Sequence, residues 1–282
     1  MKNFWIRTLS ATIYALLFVG CIYATQLTGS DLAGTLIFAA FILFVAEGCT
    51  FEFFRLVEKA GAHPIKSVGY ILSAIVCLSI SLCLYLDSFN IIGFVALPLM
   101  ATVFLATPSL LIAQLWRKSD RPFADTAYTI FPAIYAAFPL GLMAPLNSFY
   151  NVMMMVLILV WLNDSCAYMG GSLFGRHKMW PRHSPGKTWE GTAIGVAMTI
   201  VVALLIGPLF DTRLQWFDWL VVGIICSVID TLGDLVESML KRTVGVKDSG
   251  NIMPGHGGFL DRFDSLLIII PFITLYLVLS VD

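Results

Sequence analysis

Between Asp230 and Asp264 the chain reads DTLGDLVESMLKRTVGVKDSGNIMPGHGGFLDRFD, and this stretch holds ten of the protein's 35 Asp, Glu, Lys and Arg side chains. Their types and spacing suit phosphoryl chemistry on a metal ion. Asp230, Asp234 and Glu237 fall at i, i+4 and i+7, one face of a helix. Lys241, Arg242, Lys247 and Asp248 follow, then Pro254-Gly255-His256-Gly257-Gly258. Asp261 and Asp264, at i and i+3, open the last apolar run. Two carboxylate-bearing helix ends around a basic, glycine-rich loop suit a divalent cation that carries a phosphorylated substrate. The plainer reading pairs the acids with Lys241, Arg242 and Arg262 as salt bridges. Four acids converging near a membrane repel one another unless a strong cation joins them, which favours the metal.

His256 has no partners for zinc, because His177 and His183 sit in another loop without a cysteine beside them. It is read as a hydrogen-bond donor to phosphate or as a support for the Gly257-Gly258 turn. The glycines are read as permitting close backbone approach to phosphate. A second polar loop contains Ser184-Pro185-Gly186-Lys187-Thr188-Trp189-Glu190-Gly191. Its Gly-Lys-Thr invites a P-loop label, but that motif needs glycine where Pro181 stands, and no strand precedes it. The bland alternative is a basic loop that obeys only membrane topology.

These loops need elements to hold them, and the composition says which kind. Of 282 residues, 59% are hydrophobic and 12% charged, half the charge of a soluble domain. The fold class expected is an all-α integral membrane protein, a polytopic helical bundle. Apolar runs long enough to cross about 30 Å of hydrocarbon lie near 9–27, 32–51, 68–86, 91–115, 126–145, 150–169, 192–210, 219–236 and 264–281, about nine spans. The first is read as a retained helix, being longer than a signal core. Residues 1–282 are read as one membrane domain, with N-terminal helices over 1–145 and catalytic helices and loops over 146–282.

Sixteen of the 17 Lys and Arg residues fall on one predicted side, with only Arg213 on the other. That asymmetry predicts a cytoplasmic N-terminus and two cytoplasmic motif loops. Trp216 and Trp219 are read as outer interfacial anchors. Glu52 is read as interfacial and solvated, while Glu47, a turn deeper, is a candidate cavity-lining acid. Net charge is −1, so no basic field recommends nucleic acid as a partner. The six cysteines lie mostly in apolar runs without a C-x-x-C pair, and read as small core residues.

The first loop resembles the phosphatidate cytidylyltransferases (CDP-diacylglycerol synthases), whose fingerprint runs S-x-x-K-R, four residues, K-D, a spacer, then H-G-G-x-x-D-R-x-D. Ser238, Lys241, Arg242, Lys247, Asp248, His256, Gly257, Gly258, Asp261, Arg262 and Asp264 match it in register, with Met253 where a branched or aromatic residue is more usual. Ser184-Pro185-Gly186-Lys187-Thr188-Trp189-Glu190-Gly191, after Phe174-Gly175-Arg176-His177-Lys178, is similar to the family's other recurring block. Arg176 and Gly186 stand where the family also uses lysine. The resemblance covers Asn163 to Asp264; the first five spans match only in hydropathy.

It implies an enzyme of the cytoplasmic membrane that makes CDP-diacylglycerol and pyrophosphate from CTP and phosphatidate at its cytoplasmic face. It implies Mg2+, with or without a monovalent cation, and allows a homodimer. Asp234 and Asp261 are the implied direct metal ligands, with Asp264 and Asp230 in supporting places. Lys241, Arg242, Lys247, Asp248, His256, Arg262 and Asp264 form the implied catalytic set. Asp164, Ser184, Lys187, Thr188, Glu190, Ser238, Gly257 and Gly258 are implied to bind substrate. Trp189 is left between base stacking and an interfacial seat. Two rivals stay open. A CTP-dependent kinase of the polyprenol type would release CDP instead of pyrophosphate. An ion-coupled transporter would place its acids mid-membrane on broken, repeated helices.

Overall fold

The computed structural model describes residues 2–82, 100–144, 146, 149–250, 252 and 257–280, with side chains from residue 12 onward apart from 102 and 103. The chain is a multi-pass helical membrane protein that divides into two compact units. The first comprises Met1–Asn147 and Thr243–Arg262, the second Ser148–Arg242 and Phe263–Asp282. Six helices among the described residues are long and apolar enough to span a bilayer. These are α2 (Asp31–Lys59), α5 (Pro122–Met143), α6 (Tyr150–Phe174), α7 (Trp189–Phe210), α8 (Trp216–Thr243) and α9 (Leu260–Ser280). Shorter apolar stretches lie in α1 (Lys2–Ile22), in α3 (Lys66–Ser81) and over Phe104–Gln114, which includes α4 (Thr107–Gln114). Each overlaps an expected span, and much of the fourth expected span lies outside the described residues.

In the first unit, α2 starts on Ser30, whose hydroxyl accepts the Ala33 N–H at 3.4 Å, and carries Asp31 in its first turn and Lys59 in its last. Both charges complement the helix dipole. Its buried face carries Phe38, Ile42, Ala46, Phe53 and Phe54. Phe53 stacks on Phe131 of α5, with ring centroids 5.0 Å apart. The turn before α3 is latched by buried Asp125, which accepts the His63 N–H at 2.7 Å and the Ser119 hydroxyl at 2.6 Å.

The second unit is built on α6 and α7. The buried residues of α7 are Gly191, Gly195, Thr199, Ala203 and Gly207, one every four positions, while most of its large apolar side chains face outward. A narrow stripe of small residues lets neighbouring backbones approach, and the remaining surface suits lipid. A Cβ at Gly191 would lie 2.5 Å from the Ala167 carbonyl and 2.8 Å from the Gly171 backbone. At the other end, the Trp219 ring occupies the space a Cβ at Gly207 would need. Trp219 is therefore buried in the unit and is not an interfacial anchor; Trp216 is exposed at 66%.

Between α6 and α7 the chain forms an antiparallel ribbon of β1 (Lys178–Trp180) and β2 (Ser184–Thr188), paired Lys178 to Thr188 and Trp180 to Ser184. This short hairpin lies in the loop between two spans, and the remaining described elements are helical, in keeping with the expected helical bundle. Pro181 and Pro185 obscure the alternation that marks a strand, so the ribbon has no clear sequence signal. Thr188 ends β2 and caps α7, its hydroxyl accepting the Gly191 N–H at 3.2 Å. Beyond α7, Arg213 hydrogen bonds buried Asp211 and holds that carboxyl below the usual carboxylate range.

Helix α8 opens with Asp218 accepting the Gln215 N–H at 2.7 Å. It widens into a π-type turn over Ile225–Ile229, immediately before Asp230. No disulfide occurs among the described cysteines, and Cys49, Cys77 and Cys226 are buried as expected.

Candidate active site

In the second unit, Gly233 of α8 lets the helix meet α9, since a Cβ there would lie 2.9 Å from the Ser265 Cα. The contact brings acids from two helices together. Asp234, Glu237 and Asp264 each offer a carboxylate oxygen, all within 4.8 Å of one another. Asp234 is partly exposed and pairs with Lys187 at 2.7 Å, while buried Glu237 pairs with Lys241 one turn later. The Lys187 ammonium also donates to the Thr231 carbonyl at 3.3 Å, and Ser238 donates to Asp234 at 3.4 Å. Asp230, wholly buried, accepts the Asn163 amide N–H at 2.6 Å. Its Oδ1 has no hydrogen-bond partner among the described residues.

Beside these acids lies a pocket of about 490 Å³. Helix α6 contributes Asn163, Asp164, Tyr168, Gly171 and Ser172; the ribbon contributes Lys178, Ser184, Gly186, Lys187 and Thr188; Thr192, Thr231 and Asp234 complete much of the wall. Five residues singled out in the sequence therefore share one cavity: Asp164, Ser184, Lys187, Thr188 and Asp234. Tyr168 was not singled out, and only its place on α6 brings it in; Lys178 belongs to the recurring block around the ribbon, and Thr231 adjoins Asp230. Glu237 stood on the predicted acidic face but outside the implied ligand set. Its i+3 relation to Asp234 was the available signal.

Glu190 faces the entry of the ribbon. Its carboxylate accepts the N–H groups of Arg176 at 3.1 Å and His177 at 3.2 Å, and it pairs with the His177 ring at 2.5 Å. Those contacts fix where the ribbon leaves α6. Arg242, at the end of α8, donates to the His183 carbonyl at 3.4 Å.

The first unit holds the rest of the motif. Asp261 accepts the Gly258 N–H at 2.8 Å, the Ser249 N–H at 3.0 Å and the Ser249 hydroxyl at 3.0 Å. Gly257 has φ of 85°, a conformation that favours glycine, and a side chain there would overlap the Asp261 carboxylate. Lys247, Asp248 and Arg262 are exposed. His256 lies outside the described residues. Glu47 is half-buried. Glu52 corrects its expectation: it is fully buried and accepts three hydrogen bonds from Ser249, Phe259 and Leu260. A Cβ at Gly258 would overlap that carboxylate. Local hydropathy placed Glu52 at the end of a span but carried no information about these distant donors.

Residues 5–280 match the model of the Cytidylyltransferase family. The chain is 40% identical over 164 residues to a Staphylococcus haemolyticus (strain JCSC1435) protein named phosphatidate cytidylyltransferase. It is 39% identical over 168 residues and 38% identical over 166 residues to proteins of the same name from Staphylococcus epidermidis (strain ATCC 12228 / FDA PCI 1200) and Staphylococcus aureus (strain COL). These matches take in 57%, 57% and 58% of this chain and 62%, 62% and 63% of the three relatives. The chain thus spans a little over three fifths of the length of the curated relatives it matches.

Proposed function

The chain belongs to the cytidylyltransferase family, and on that premise we propose that it transfers CMP from CTP to phosphatidate, giving CDP-diacylglycerol and pyrophosphate. The observation that carries this reading is the contact of Lys187 with Asp234 in the wall of the pocket, beside Ser184 and Thr188. A polyphosphate needs cations and hydroxyl donors beside a carboxylate that would hold a metal, and Lys187, Ser184, Thr188 and Asp234 are those groups in this wall. A phosphate oxygen of phosphatidate attacks the α-phosphorus of CTP. The bond from that phosphorus to the bridging oxygen breaks, and pyrophosphate leaves with the electron pair. The phosphate nucleophile is already anionic, so no protein base is required. Lys187 acts as a point charge on the phosphates, with the hydroxyls of Ser184 and Thr188 orienting them.

The donor set fits Mg2+. Asp234, Glu237 and Asp264 offer hard carboxylate oxygens, and Mg2+ takes a few such ligands together with substrate phosphates. When bound, the ion would neutralise phosphate charge. Glu237 takes a ligand role in this reading. Asp261, implied as a ligand by the resemblance, accepts hydrogen bonds from Gly258 and Ser249 in the glycine-rich turn.

Purified full-length protein given labelled CTP, phosphatidate and Mg2+ is expected to yield labelled CDP-lipid and unlabelled pyrophosphate. Release of labelled CDP would point to the kinase reading, and no CTP turnover would overturn both. The same reading places both motif loops on the cytoplasmic face of the cytoplasmic membrane, supported by the distribution of 16 of the 17 Lys and Arg residues. In a cysteine-free background, Gly186→Cys and Lys247→Cys should resist an impermeant thiol reagent in intact cells and react after lysis. Labelling of both in intact cells would reverse the orientation.

A further inference from the structure

The glycine-rich motif is tied to a carboxylate far earlier in the chain. Glu52 lies near the end of α2, is 0% exposed, and belongs to the same unit as residues 243–262. Its Oε2 accepts the Ser249 hydroxyl at 2.8 Å and the Leu260 N–H at 2.9 Å, and its Oε1 accepts the Phe259 N–H at 2.9 Å. One carboxylate therefore joins the residue that enters the motif to the two that leave it.

The surface of α2 around Glu52 is shaped to receive these residues. Phe44, Gly48 and Glu52 recur every four positions along one stripe. The Phe259 ring meets Phe44 edge-on, with centroids 5.4 Å apart, and fills the space a side chain at Gly48 would need. A Cβ at Gly250 or Gly258 would overlap the Glu52 carboxylate. The three donors are neutral, so the buried carboxylate is held by hydrogen bonds and by the positive end of the α9 dipole. Removing it would leave the two buried N–H groups of Phe259 and Leu260 to find other partners, while the Ser249 hydroxyl would keep Asp261 as its acceptor.

We propose that Glu52 is a positioning residue for the transfer reaction: it holds Ser249 together with Phe259 and Leu260 and so sets the start of α9, which carries Asp261, Arg262 and Asp264. The proposal rests on the transferase reading, so its test has one arm that requires that reading and one that does not. Glu52→Gln keeps the side chain's shape but turns one acceptor toward a donor. In hydrogen–deuterium exchange on the detergent-solubilised full chain, peptides covering 249–260 should exchange at least about tenfold faster in Glu52→Gln, while α6 and α7 stay unchanged.

In the CTP and phosphatidate assay, kcat per folded molecule should fall about 10- to 100-fold, the scale of an ångström-level misplacement. Both KM values should stay within about twofold, because the loss falls on transition-state geometry and not on substrate binding. A merely structural role would lower the unfolding temperature and the folded yield while leaving kcat alone. Unchanged exchange overturns the proposal, and so does faster exchange with wild-type kcat. Should Glu52→Gln fail to fold, Glu52→Asp keeps the charge but draws the carboxylate back from its donors, and the same two measurements decide with smaller expected changes. A wild-type chain that turns over no CTP, yet loses protection over 249–260 in Glu52→Gln, would overturn the transferase reading and leave the clamp standing.

Discussion

Asp234→Asn is expected to lower kcat/KM at least about 100-fold, the effect of losing one preorganised electrostatic contact. The substitution removes a charge and almost no volume. Asp234 is the point where the acid trio meets both the pocket wall and Lys187, so both the proposed metal and the proposed phosphate site would lose a partner. Stability should change little. The pair with Lys187 is partly exposed on both sides, and such pairs contribute about 0–1 kcal/mol. Glu237→Gln should behave differently. Glu237 is buried against Lys241, and removing one member of a buried pair costs about 3–5 kcal/mol. Turnover with CTP and phosphatidate, thermal unfolding in detergent, and Mn2+ binding followed by electron paramagnetic resonance separate the two effects. Wild-type activity in Asp234→Asn with unchanged Mg2+ dependence would sink the trio as a metal site.

Gly191→Ala is expected to destabilise the protein by about 1–3 kcal/mol, the usual cost of inserting a methyl group into a filled space. The atoms it would meet are the Ala167 carbonyl and the backbone of Gly171, which cannot rotate away as a side chain can. Helices α6 and α7 would have to separate where Ala167, Gly171, Thr188 and Thr192 line the pocket, so CTP turnover should fall too. Gly186→Ala is the control. Nothing lies within 4 Å of its added Cβ, and its stability should stay within about 0.5 kcal/mol of wild type. Thermal unfolding of the two variants side by side decides it. Equal midpoints would mean that the α6–α7 approach is looser than the structure describes.

The sequence by itself determined the properties that depend on near neighbours. Hydropathy is summed over one helical span, so six long apolar helices lie in expected runs. Helical spacing placed Asp234 and Glu237 on one face, and both join Asp264 in the acid trio. The block around Lys187 was recognisable from order alone, although its ribbon was not. Tertiary structure decided which distant groups became partners. It set Trp219 against Gly207 instead of lipid, aimed Glu190 at the start of the ribbon, and buried Glu52 under three donors. A buried carboxylate and an interfacial one look alike in a linear chain. The difference is whether donors from about 200 residues away replace its water, and only the packing of α2 against the start of α9 supplies them.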